Sequence, residues 1–177
     1  MKHVTIEIFD YSELSEAAKQ SARDWYCEGG AWYWQDEWWQ SARAFSDIAP
    51  VDIQSADYER ADVDCTWQGE CDVEDLEGVR AWKWLQNNGW FDLAARNAQG
   101  DCTLTGYCGD CDLFDPLHEY AKTPLAVPDL RQVFYECAQS WVQAARRDLE
   151  ESYSREVVEE NIEANEYQFT ECGGFWA

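Results

Sequence analysis

In the stretch AWYWQDEWWQSARAF (residues 31–45), Trp34, Trp38, Ala42 and Phe45 fall at i, i+4, i+8 and i+11. That spacing puts all four on one face of an α-helix. A buried aromatic ring removes about 150–250 Å² from water, so such a face must be covered by something apolar. Trp32 and Trp39, seven apart, lie on an adjacent face, and Asp36, Gln40 and Arg43 lie elsewhere on the cylinder. The face either anchors a core or forms a platform for bases or sugars. A nucleic-acid platform also needs a positive groove for the backbone, and the neighbours here are Asp36 and Glu37. The helix is therefore read as a core anchor whose second aromatic face remains for a partner.

The chain has 177 residues, a usual length for one domain with its own core. Thirteen Lys and Arg face 36 Asp and Glu, a formal charge of −23. High charge with low hydrophobicity marks disorder, but eleven Trp, nine Tyr and seven Phe supply enough apolar surface to fold. Charge of this size bears on partners rather than on fold. It repels nucleic acid and anionic membranes and attracts proteins with basic grooves. No basic-then-apolar leader is visible at the N-terminus, and no run approaches the roughly 18 apolar residues of a membrane span. The expectation is a cytoplasmic protein whose eight Cys stay reduced.

Residues 3–9 alternate, with Val4, Ile6 and Ile8 on one face and His3, Thr5 and Glu7 on the other, which predicts a half-buried strand. Ser15 caps a helix carrying Glu16 in its first turn, with Leu14, Ala18, Ala22 and Trp25 or Tyr26 inward; Gly29 and Gly30 end it. Residues 51–60 and 61–70 read as a hairpin turning near Glu59 to Asp62. A helix follows over 75–88 with Leu76, Val79, Trp82 and Leu85 or Gln86 inward, then a strand over 102–108 and a helical turn within 113–121. Pro128 near N1 opens a long helix carrying Leu130, Phe134, Cys137, Trp141, Ala145 and Leu149 on one face. Residues 154–166 form another helix, and 167–170 a last strand. The pattern predicts one α+β domain over residues 1–177, with helices packed on a small, mainly antiparallel sheet.

Chemistry-bearing groups are sparse. Cys108 and Cys111 have zinc-knuckle spacing, and Cys102 and His118 stand near enough to complete a Cys3His set. No second CxxC accompanies them, so small buried thiols are the simpler reading. With only His3 and His118 present, a Cys–His nucleophile has no third group to orient it. Asp110, Asp112 and Asp115 loosely resemble a hard-cation loop but lack its glycine and closing glutamate. Phosphate-binding glycine loops and HExxH are absent. The expectation is no catalytic group and no cofactor.

The carboxylates remain. Between Asp24 and Glu77 there are fifteen Asp and Glu against two arginines, Arg43 and Arg60. Asp52, Asp57, Glu59, Asp62 and Asp64 fall on the expected hairpin; Glu70, Asp72, Glu74 and Asp75 follow it. A second run includes Glu156, Glu159, Glu160 and Glu163, which share a helical stripe. Carboxylates held on a rigid frame can imitate the phosphates of DNA. The plainer alternative is a solvated face that keeps the chain soluble.

FDYSELSEAAKQSARDWYCEG, LTGYCGDCDLFDPL and ENIEANEYQFTECG resemble stretches of a group of small acidic proteins of tailed bacteriophages and prophages. Most members are uncharacterised and some carry antitoxin-type labels. The resemblance covers most of the chain, implies a phage setting and carries over no catalytic residue. The chain has more Trp and Cys than the group leads one to expect. Together with the charge, this predicts a non-enzymatic inhibitor of a host nucleic-acid-binding protein, such as a CRISPR effector, nuclease or restriction enzyme. It would fill a basic groove in a bacterial cytoplasm and contact neither nucleic acid nor membrane itself. An antitoxin for a basic toxin and a zinc-stabilised interaction module are the alternatives.

Overall fold

The computed structural model describes residues 6–30 and 32–176. Among these are seven α-helices and two two-stranded antiparallel sheets, an α+β fold. By internal contacts the chain divides into two compact units, Met1–Tyr33 with Asp148–Ala177, and Trp34–Arg147.

The first unit joins the two ends of the chain. Strand β1 (Ile8–Asp10) leads through a 3-10 turn (Tyr11–Glu13) into helix α1 (Glu16–Glu28). The Ser15 hydroxyl accepts the Ala18 N–H at 3.3 Å, the expected cap, and Gly30 leaves the helix with φ +86°. Helix α7 (Arg155–Ala164) and strand β4 (Gln168–Thr170) complete the unit, and β4 pairs antiparallel with β1. Tyr11, Leu14, Ala18, Ala22, Tyr26, Val158, Ile162 and Phe169 form its core.

The first strand differs from expectation. His3, Val4 and Thr5 lie outside the described residues. Ile6 and Ile8 are 45% and 42% exposed, whereas Phe9 packs against the core. The register explains the inversion: Phe9 stands opposite the fully buried Phe169, and directly opposed residues share a face. Gly173 closes the unit at φ +85°, so near α1 that a Cβ there would lie 2.1 Å from the Ala18 carbonyl oxygen.

The second unit contains helix α2 (Gln35–Ser46), the hairpin β2 (Val51–Asp57) and β3 (Asp62–Trp67), and helices α3 (Gly78–Asn87), α4 (Trp90–Asn97) and α5 (Gly109–Lys122). It also holds helix α6 (Leu130–Ser152) as far as Arg147. Trp38, Ala42 and Phe45 are buried as predicted, and Phe45 contacts the rings of Trp90, Phe114 and Phe134 at 5.6–6.2 Å. The Trp141 indole N–H donates to the Trp38 carbonyl at 3.2 Å. Trp34 departs from the pattern: it is the N-cap residue of α2 and 58% exposed, beyond the reach of the packed face.

Other boundaries moved for local reasons. Pro128 precedes the start of α6, and Asp129 caps the helix by accepting the Gln132 N–H at 2.8 Å. On α3 the buried residues are Ala81 and Leu85, while Val79 is exposed. Helix α4, unforeseen, follows Gly89, which turns the chain at φ +77°. Residues 102–108 form a loop rather than a strand. Helix α5 begins earlier than expected and runs through Pro116, with Asp110 and Asp112 in its first turn, where the helix dipole favours them.

Candidate acidic interface

The hairpin places its apolar residues inward and its acids outward. Val51, Ile53 and Val63 are buried. A register shift between Ile53 and Ser55 leaves Gln54 and Ser55 both exposed and resets the alternation toward the turn. Asp57, Glu59, Asp62 and Asp64 are all exposed. Asp57 stands directly opposite Asp62, and like charges in that position destabilise a sheet. Asp57 also closes the turn, because its carboxylate accepts the Arg60 N–H at 3.0 Å. The Arg60 side chain reaches Asp57 at 3.6 Å, but both groups are largely in solvent, so the pair is weak.

The remaining predicted acids separate into different environments. Asp52 is half-buried on β2 beside Gln54, whose side chain also donates to Thr66 at 2.7 Å. Glu70, Asp72 and Asp75 lie in and beside the turns that follow β3, and all three are exposed. Glu74 in the same run is partly covered and paired with Arg131.

Helix α7 carries its acids in the first unit. Glu156, Glu160 and Glu163 are exposed. Glu159 is turned inward instead. Its Oε1 accepts bonds from Arg23 at 2.7 Å, Arg155 at 2.8 Å and the Tyr11 hydroxyl at 2.9 Å. Burial pulls the Glu159 pKa up, but the bonds from Tyr11, Arg155 and Arg23 outweigh it and hold the carboxyl below the usual range. The stripe expected of four glutamates therefore presents three.

The thiols gather differently from a zinc knuckle. Cys102 and Cys111 bring their sulfurs to 3.7 Å, while Cys108 is exposed at the N-cap of α5. Among the described residues no three His, Cys, Asp or Glu side chains converge on a metal position. The segment that loosely resembles a cation loop is helical, and its first acid has another role. Asp110 is fully buried. Its Oδ2 accepts the N–H groups of Leu104, Thr105 and Gly106 at 2.8, 2.7 and 3.3 Å, and its Oδ1 accepts the Thr105 hydroxyl at 2.8 Å.

Among the described residues no helix is long and apolar enough to cross a membrane. The chain matches no family model, no curated protein and no solved structure.

Proposed function

We propose that this protein is a non-enzymatic inhibitor that binds a nucleic-acid-handling protein of a bacterial host and fills its basic groove with carboxylates. The observation that carries this reading is the hairpin tip. Asp57 and Asp62 oppose each other there, flanked by Glu59 and Asp64, with Arg60 the nearby cation. A surface serving solubility alone has no need to set like charges directly across a ladder, where they weaken it. A two-stranded ribbon edged with carboxylates offers a Lys- and Arg-lined channel the charge pattern of a nucleic-acid backbone. The phage resemblance supports a setting in the bacterial cytoplasm, where a defence nuclease or CRISPR effector is the kind of target such a surface fits. Association is steered by charge, so it is fast at low salt and weakens as salt rises.

The test is capture from bacterial lysate at low and high salt with the wild-type chain and with Asp57→Lys, Glu59→Lys, Asp62→Lys and Asp64→Lys combined. The expected result is one nucleic-acid-binding protein, recovered at low salt, lost at high salt and lost with the reversed hairpin while the circular dichroism stays unchanged. Capture that is indifferent to the four reversals removes the hairpin from the interface. A salt-resistant partner removes the charge mechanism.

A further inference from the structure

Cys102 and Cys111 are nine residues apart in sequence, yet their Sγ atoms lie 3.7 Å apart, the only such thiol pair among the described residues. The contact is built from both sides. Asn97, fully buried at the end of α4, accepts the Cys111 S–H with its backbone carbonyl at 3.3 Å. Its side-chain Oδ1 accepts the Thr103 N–H at 3.1 Å, and its Nδ2 donates to the Thr103 hydroxyl at 2.7 Å. One residue thus holds the Cys111 thiol directly and braces Thr103, the neighbour of Cys102. Asp110 holds the rest of the loop through Leu104, Thr105 and Gly106. Cys102 itself sits at φ +44°, a left-handed conformation unusual for a residue with a side chain, kept in place by this bracing.

We infer that Cys102 and Cys111 form a reversible redox site that closes to a disulfide by exchange with a low-molecular-weight disulfide of the glutathione type. The sulfurs have to approach to about 2.05 Å, which asks for a side-chain adjustment within a loop already folded toward α5. Burial, then the bond with Cys102, pushes the Cys111 thiol up to about 12. The Asn97 carbonyl also holds the Cys111 S–H, so exchange begins at Cys102. Its thiolate attacks one sulfur of the small disulfide, and one small thiolate leaves. The Cys111 sulfur, giving up its proton to solvent, then attacks Sγ of Cys102 and displaces the second small thiol. The protein loses two hydrogens, and one small disulfide is reduced to two thiols. Among the described residues no third metal-ligating group, which a zinc site would require, joins the pair.

The full chain, folded and without denaturant, is incubated with oxidised glutathione, quenched in acid, alkylated and digested for mass spectrometry. The expected product is a Cys102–Cys111 linked peptide as the main internal cross-link, about 2 Da lighter than the dithiol form and reversed by dithiothreitol. Cys108→Ser leaves this link intact, because Cys108 is exposed and outside the pair. Two results overturn the proposal: a dominant link from Cys111 to Cys108, or a pair fully alkylated while exposed Cys71 and Cys172 carry glutathione.

Discussion

Replacing Asp110 tests how the segment after α4 is held. Its carboxylate is fully buried and accepts four hydrogen bonds, three from backbone N–H groups and one from a hydroxyl. Asp110→Ala leaves four donors without their acceptor. An unmade bond at a buried donor costs about 1–3 kcal/mol. Leu104 and Thr105 are only half-buried and Gly106 is exposed, so water recovers part of the loss. Taking about 1 kcal/mol for each donor gives about 4 kcal/mol, a large share of the roughly 5–15 kcal/mol that holds a domain folded. Asp110→Asn keeps one oxygen for the backbone donors. It exchanges charge-assisted bonds for neutral ones and removes a buried charge, for a net loss of about 2 kcal/mol. Urea unfolding followed by tryptophan fluorescence measures both variants, and hydrogen exchange at the Leu104, Thr105 and Gly106 amides localises the effect. An Asp110→Ala chain within about 1 kcal/mol of wild type, with those amides still protected, would falsify the claim that this carboxylate organises the loop.

Two further perturbations address the first unit. Gly173→Ala puts a methyl group 2.1 Å from a backbone oxygen of α1 at a left-handed φ, so a loss of about 3–4 kcal/mol is expected in thermal or urea unfolding; an unchanged midpoint would show that the C-terminal turn does not pack as described. Glu159→Gln removes the charge that Arg23 and Arg155 meet, with a loss of about 1–2 kcal/mol at neutral pH, discounted because the Glu159 side chain is 27% exposed. Its folded pKa is depressed, so its contribution is complete above the ordinary glutamate value of about 4.3 and disappears as pH falls through the lower folded value. The gap between wild type and variant should therefore close in acid, and a gap that persists below that range refutes the charge as its source.

What could be read from the sequence was whatever depends on local periodicity. The inward faces of α1, α2 and α6 follow from spacing, because a helix repeats over a few residues and aromatic rings have a strong preference for burial. The Ser15 cap, the hairpin and the acidic character of its tip follow in the same way. Long-range pairing set the rest. The first and last strands meet, and the burial of Phe169 dictates which face of β1 turns inward. Glu159 leaves its stripe because Arg23 and Tyr11, more than a hundred residues earlier, offer it partners. Residues 102–108 fold as a loop because Asp110, beyond their end, collects their N–H groups. Spacing alone joined Cys111 to Cys108, whereas packing joins it to Cys102. Periodicity says which side of an element seeks cover, and only the assembled fold supplies the groups that provide it.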